Sequence, residues 1–110
     1  MLVPPYNSVI SNYYARVEVY ISRASKDENK AIFDALYQEQ SRIEKTFGQA
    51  LTWERLDNKK ACRIKFEMQN VDYFDEADWE KMFSFMAENL PKLSLAFDDP
   101  IKVASKKIKK

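Results

Sequence analysis

The sequence predicts an α+β domain: a small antiparallel sheet in β-α-β-β-α order with two amphipathic helices packed on one face. Three patterns carry this. Apolar residues alternate with polar ones over Tyr13–Ile21 and again over Ala61–Met68, the period of a half-buried strand. Apolar residues recur at three- and four-residue spacing over Ser25–Phe47 and Asp75–Phe97, the period of an amphipathic helix. A polar Asp57-Asn58-Lys59-Lys60 turn joins two of the strands.

Residues 1–12 contain Pro4, Pro5, Asn7 and Asn12 and read as an irregular arm, with at most a short extended piece near Ser8–Ser11. In the strand Tyr13–Ile21, Tyr13, Ala15, Val17, Val19 and Ile21 face the core. Tyr14, Arg16, Glu18 and Tyr20 face outward. Ser25 and Glu28 fit a capping box at the start of the first helix. Ile32, Phe33, Leu36, Ile43 and Phe47 form its stripe, interrupted by Gln40, and Gly48 follows where a left-handed residue ends helices most easily.

The hairpin spans Leu51–Leu56 and Ala61–Met68. Its second strand alternates Cys62, Ile64, Phe66 and Met68 with Arg63, Lys65 and Glu67, so Cys62 is expected as an inert buried thiol. Asp75 is the expected N-cap of the last helix, with Glu76, Asp78 and Glu80 on the positive end of its dipole. Trp79, Met82, Phe83, Met86, Leu90, Leu93 and Phe97 form a stripe through Pro91, where a kink is expected, and Asp98-Asp99-Pro100 is expected to end the element. The domain division is thus an arm over 1–12, one domain over 13–100 and a basic tail over 101–110.

Composition excludes much chemistry. The chain of 110 residues is long enough for one core and too short for two. There is no His, one Cys and one Gly. That removes Ser-His-Asp and Cys-His pairs, His and multi-thiolate metal sites, and glycine-rich phosphate loops. No cofactor or metal is expected. No apolar run is long enough to span a membrane, and a lone thiol suits a reducing, cytoplasmic setting.

Charge is unevenly spread. Residues 101–110 carry five lysines and no acid, which leaves residues 1–100 with 13 basic against 17 acidic side chains, a net −4. A slightly acidic body is not the footprint of a dedicated duplex binder.

The run Trp53-Glu54-Arg55-Leu56-Asp57-Asn58-Lys59-Lys60-Ala61-Cys62-Arg63-Ile64 resembles the hairpin of a bacterial family, domain of unknown function 4268. Arg16–Ile21 resembles its preceding strand, Phe33–Leu36 its first helix, and Asp75–Trp79 with Asn89-Leu90, Lys92-Leu93 and Ala96-Phe97 its last helix. The resemblance covers roughly residues 13–103. It implies company with restriction-endonuclease-like regions, which in this family often lie in front of the domain, and it assigns no catalytic residue. That nuclease-like region is absent here, and so is most of a strand that normally precedes Tyr13, with only Asn7–Ser11 to stand in for it. A short stand-alone relative or a fragment is therefore expected.

Two kinds of function follow as expectations. The first is a non-enzymatic accessory or interaction domain. It would use a sheet edge at Tyr13–Ile21 and the outward Tyr14 and Tyr20, for a protein partner or a homodimer, unless the arm Pro4–Ser11 covers that edge. The second is a weak nucleic-acid binder. There Tyr14 and Tyr20 would stack bases, Arg16, Arg63 and Lys65 would meet phosphates, and Lys106, Lys107, Lys109 and Lys110 would add salt-sensitive contacts. Glu18, Glu54 and Glu67 on the same face oppose that use, and cross-strand ion pairing is the plain alternative. A nuclease is disfavoured because the clearest Glu-x-Lys, Glu28-Asn29-Lys30, falls in a helix's first turn.

Overall fold

In the computed structural model, which describes residues 5–108, seven elements follow in order: β1 (Tyr6–Ile10), β2 (Ala15–Ile21), α1 (Lys26–Tyr37), α2 (Gln40–Phe47), β3 (Thr52–Glu54), β4 (Cys62–Met68) and α3 (Glu76–Ile108). The four strands form one antiparallel sheet in the order β1-β2-β4-β3. The α+β class holds, with one more strand and one more helix than the sequence suggested.

Alternation sets the two faces. Ala15, Val17 and Val19 of β2 and Cys62 and Ile64 of β4 are fully buried in one hydrophobic core with residues of all three helices. Trp53 joins it edge-on to Phe33 and Tyr37 and tilted against Phe97, while Phe66 stacks on Phe85 and meets Phe47 edge-on. The opposite face carries the polar residues of the same strands.

Several expectations are corrected. The arm is not irregular: Tyr6–Ile10 is a strand paired with β2, Tyr6 opposite Val19 and Ile10 opposite Ala15. β2 is consequently internal, and the edge expected at Tyr13–Ile21 is occupied. Tyr13 lies before β2 and is 74% exposed instead of core-facing. In the hairpin, only Thr52–Glu54 of the expected Leu51–Leu56 strand pairs with β4.

The first helix is two. After Tyr37 the chain tightens, Glu39 N–H donating to Leu36 O at 2.9 Å, and Glu39 takes φ −101°, ψ 18° before helix resumes. Leu36 before the two non-helical residues and Ile43 after them are both buried in the core. Ser25 does cap α1, its hydroxyl accepting the Glu28 N–H at 3.2 Å. Glu28 pairs with Arg23 at 2.8 Å and makes no reciprocal bond to Ser25. Gly48 ends α2 as expected, at φ 95°.

α3 neither breaks at Pro91 nor stops at Pro100. At about 1.5 Å per residue a helix of this length spans about 50 Å, and the longest dimension of the molecule is 50 Å. Packing explains the continuity. Phe85 before Pro91 and Leu93, Ala96 and Phe97 after it are all buried, and Pro91 itself faces solvent, where water can satisfy a freed carbonyl. Ala104, beyond Pro100, is buried in the same core, so the described part of the basic tail is helix.

Candidate functional site

The outward sheet face holds the residues singled out from the sequence. β2 places Arg16, Glu18 and Tyr20 there, and β4 places Arg63, Lys65 and Glu67 opposite them, Tyr20 facing Arg63, Glu18 facing Lys65 and Arg16 facing Glu67. β3 adds Glu54 opposite Arg63. Six of these charges close into a ring of alternating sign. Arg16 Nε lies 2.8 Å from Glu18 Oε1, and Arg63 Nε lies 3.2 Å from the same oxygen. Arg63 continues to Glu54 at 3.3 Å, Glu54 to Lys65 at 3.7 Å and Lys65 to Glu67 at 3.0 Å. Glu67 returns to Arg16 at 3.5 Å.

The ring is neutral and poorly hydrated for a surface feature. Glu18 is only 4% exposed, which makes it the centre of the face and not the solvent-facing repeller its sequence position suggested. Its second oxygen accepts from Asn7 Nδ2 at 3.3 Å. The Arg63 Nε contact with Glu18 is ionic but misaligned, and that nitrogen has no hydrogen-bond partner. Tyr14 and Tyr20 lie beside the ring, each under a guanidinium: Arg16 sits 5.3 Å from the Tyr14 centroid and Arg63 5.7 Å from that of Tyr20. The cations expected to meet phosphates are thus engaged by carboxylates and aromatic rings.

The lysines are elsewhere. Lys106 and Lys107 are exposed in the last turn of α3 and belong to no site with Arg16, Arg63 or Lys65. Lys109 and Lys110 lie outside the described residues.

The side chains of the Glu28-Asn29-Lys30 run are engaged by neighbouring backbone and by Arg23. Lys30 is 6% exposed and donates its ammonium to three backbone carbonyls: Arg55 at 2.5 Å, Leu56 at 2.8 Å and Ala61 at 2.9 Å. Asn29, fully buried, accepts from Arg23 N and donates to Arg23 O and Lys60 O. Together they fasten the β3–β4 connection, including Leu56 at φ 55°, to α1. An open groove beside them is lined by Lys26, Asp27, Asp34, Arg55 and Asp57. Its Arg55 is gripped by Asp34 at 2.8 and 3.0 Å and bonded to Asp57, which holds the Asp34 carboxyl below its ordinary range. Cys62 is buried beneath, its thiol pushed up by burial against the opposing effect of Lys30.

The acidic run before α3 is likewise structural. Asp75 Oδ1 accepts the Ala77 N–H at 3.0 Å as an N-cap, Asp72 Oδ1 accepts the Phe74 N–H, and Asp78 Oδ2 accepts the Asp72 N–H. Among the described residues no three His, Cys, Asp or Glu side chains converge as metal ligands.

One feature had no signal in the sequence. Trp79 and Phe83 were expected in the buried stripe, yet they are 39% and 56% exposed, with Tyr73 and Phe74 beside them. Tyr73 lies 5.7 Å from the Phe74 ring and 6.1 Å from that of Trp79, and its N–H donates to Asn12 O, next to exposed Tyr13. Trp79 Nε1 donates to Tyr73 O, which fixes the cluster. Tyr73, Phe74 and Trp79 thus form one exposed aromatic cluster at the start of α3, tied through Asn12 to the turn after β1.

Among the described residues no helix is long and apolar enough to cross a membrane. No curated protein and no solved structure gives a significant match. A family model, that of a domain of unknown function (DUF4268), matches residues 4–101, and the chain belongs to that family.

Proposed function

We propose that this chain is a non-enzymatic accessory domain that works by binding another protein, in a restriction-endonuclease-like or defence setting. The carrying observation is the exposed aromatic cluster of Tyr73, Phe74 and Trp79. Contiguous exposed aromatics are the compositional mark of an interface core, and a rigid cluster loses little entropy on docking. The restriction setting rests on the company the family keeps. The charge ring supports the same reading from the other side, because each of its cations already has a carboxylate.

A nucleic-acid role survives in reduced form. Exposed Lys102, Lys106 and Lys107 on α3 offer weak contacts to phosphates, steeply reduced by salt. Fluorescence anisotropy with labelled single- and double-stranded DNA, at low and physiological salt, separates the two readings. A Lys102→Gln/Lys106→Gln/Lys107→Gln variant serves better than truncation, since cutting at Asp99 would remove buried Ala104. A photo-crosslinking residue at Phe74, with one at Lys59 as control, would be run in cells beside it. We expect a discrete protein adduct at Phe74 alone and no DNA binding at physiological salt. DNA affinity that persists there in the triple variant overturns the proposal.

A further inference from the structure

The outer edge of β1 is shaped for a second copy of this chain. Pro5 O accepts from Tyr20 N at 2.7 Å and Ser11 N donates to Tyr14 O at 2.9 Å. In an antiparallel ladder the bonding residues alternate, so Pro5, Asn7, Val9 and Ser11 turn their backbone groups toward β2. Tyr6, Ser8 and Ile10 turn theirs outward. Among the described residues no strand pairs with that edge. Nor does β1 carry the usual protection, since it contains no charged residue and no proline. The opposite edge, β3, is only three residues long and bears Glu54.

Three outward residues centred on Ser8 are self-complementary. A two-fold axis there sets Ser8 against Ser8 and Tyr6 against Ile10 of the other copy, forming about six backbone hydrogen bonds and one continuous sheet.

α3 repeats the same symmetry one layer above. Tyr6 donates to Asp98 at 2.5 Å, while Asn12, beyond the other end of β1, bonds Tyr73 just before α3. α3 therefore runs antiparallel to β1. From Tyr6 to Ser8 is about 6.7 Å of strand, the rise of four to five helical residues. Counted back from Ser94–Asp98, which hold the Tyr6 end, this brings the axis beside Pro91. Exposed residues at 80, 84, 87, 91, 95, 98 and 102 share one side of α3, marked as the β1 side by Asp98. Their spacing reads the same in both directions from Pro91. Two antiparallel copies would set Leu95, 74% exposed, near Ala87 at the centre. Glu80 would face Lys102 of the other copy at each end. Neither Glu80 nor Lys102 has an ion-pair partner among the described residues.

The geometry points to a symmetric homodimer in which β1 pairs with β1 and the Glu80–Lys102 ends of α3 meet. It rests on the outer edge of β1 and the Pro91-centred side of α3, and not on the Tyr73, Phe74 and Trp79 rings that carry the protein-binding role. A monomer would leave the crosslinking result untouched.

Sedimentation equilibrium of the full chain tests it, with circular dichroism to confirm that each variant is folded. A dimer at about 100 μM is expected, corresponding to a dissociation constant at or below that range. Ser8→Pro removes an outward N–H at an edge position where proline is tolerated, and is expected to weaken dimerisation at least about tenfold. Glu80→Lys and Lys102→Glu should each weaken it several-fold, and the double exchange should restore it. A monomeric wild type overturns the inference. So does a folded Ser8→Pro protein that dimerises as the wild type does, or a double exchange that fails to rescue.

Discussion

Tyr6 and Asp98 are 92 residues apart in sequence and share a hydrogen bond of 2.5 Å, which ties the first strand to the last helix. Burial, together with the bond to Asp98 and its negative charge, pushes the Tyr6 hydroxyl well above its ordinary pKa. The folded protein thus holds this proton when the unfolded chain releases it. The contribution to stability is complete below about pH 10 and declines as pH rises beyond it. Tyr6→Phe should lower stability by about 1–2 kcal/mol near neutral pH. Urea denaturation at pH 8 to 11 should show that difference shrinking above about pH 10.

Lys30 has all three ammonium donors on backbone carbonyls of the β3–β4 connection. Lys30→Met keeps the stem but leaves three carbonyls without their donor, and we expect a loss of about 2–4 kcal/mol. Lys30→Arg should not rescue, because a planar guanidinium cannot direct donors at three carbonyls converging on one point. Hydrogen exchange should quicken first in residues 55–61.

Glu18 neutralises Arg16 and Arg63 at the centre of the ring. Glu18→Gln removes one of the two carboxylates beside each of two partly buried guanidiniums, at a cost of about 2–3 kcal/mol in chemical denaturation. It also leaves the face with a net positive charge. If the ring is what keeps phosphate off the sheet, this variant gains salt-sensitive DNA binding that the wild type lacks, measurable by anisotropy at low salt.

Pro91 is exposed within α3, where it deprives the helix of one backbone hydrogen bond. Pro91→Ala should raise stability by about 1–3 kcal/mol, since the ring contributes no buried contact. A lower melting temperature would mean that Pro91 sets a curvature on which core packing depends.

The strands β2 and β4, the Ser25 cap, the Gly48 stop, the buried Cys62 and the residue membership of the polar sheet face were all legible in the sequence. Each depends on a neighbour two to four positions away, and local periodicity reports such neighbours directly. Other features were set by contacts distant along the chain. Tyr6–Ile10 is a strand because β2 offers an open ladder, a partner that its short and polar sequence does not announce. α1 and α2 separate at residues 38–39, where there is no glycine or proline to announce a break. α3 runs through two prolines because buried residues on both sides of each hold it against the body, outweighing the lost hydrogen bonds. The sequence could name the charges of the outer face, but only the β2–β4 and β3–β4 registers, a property of three strands at once, decided that they close into a ring. The rings of Tyr73, Phe74 and Trp79 meet within seven residues, but only the bond of the Tyr73 N–H to Asn12 O ties them to the turn after β1.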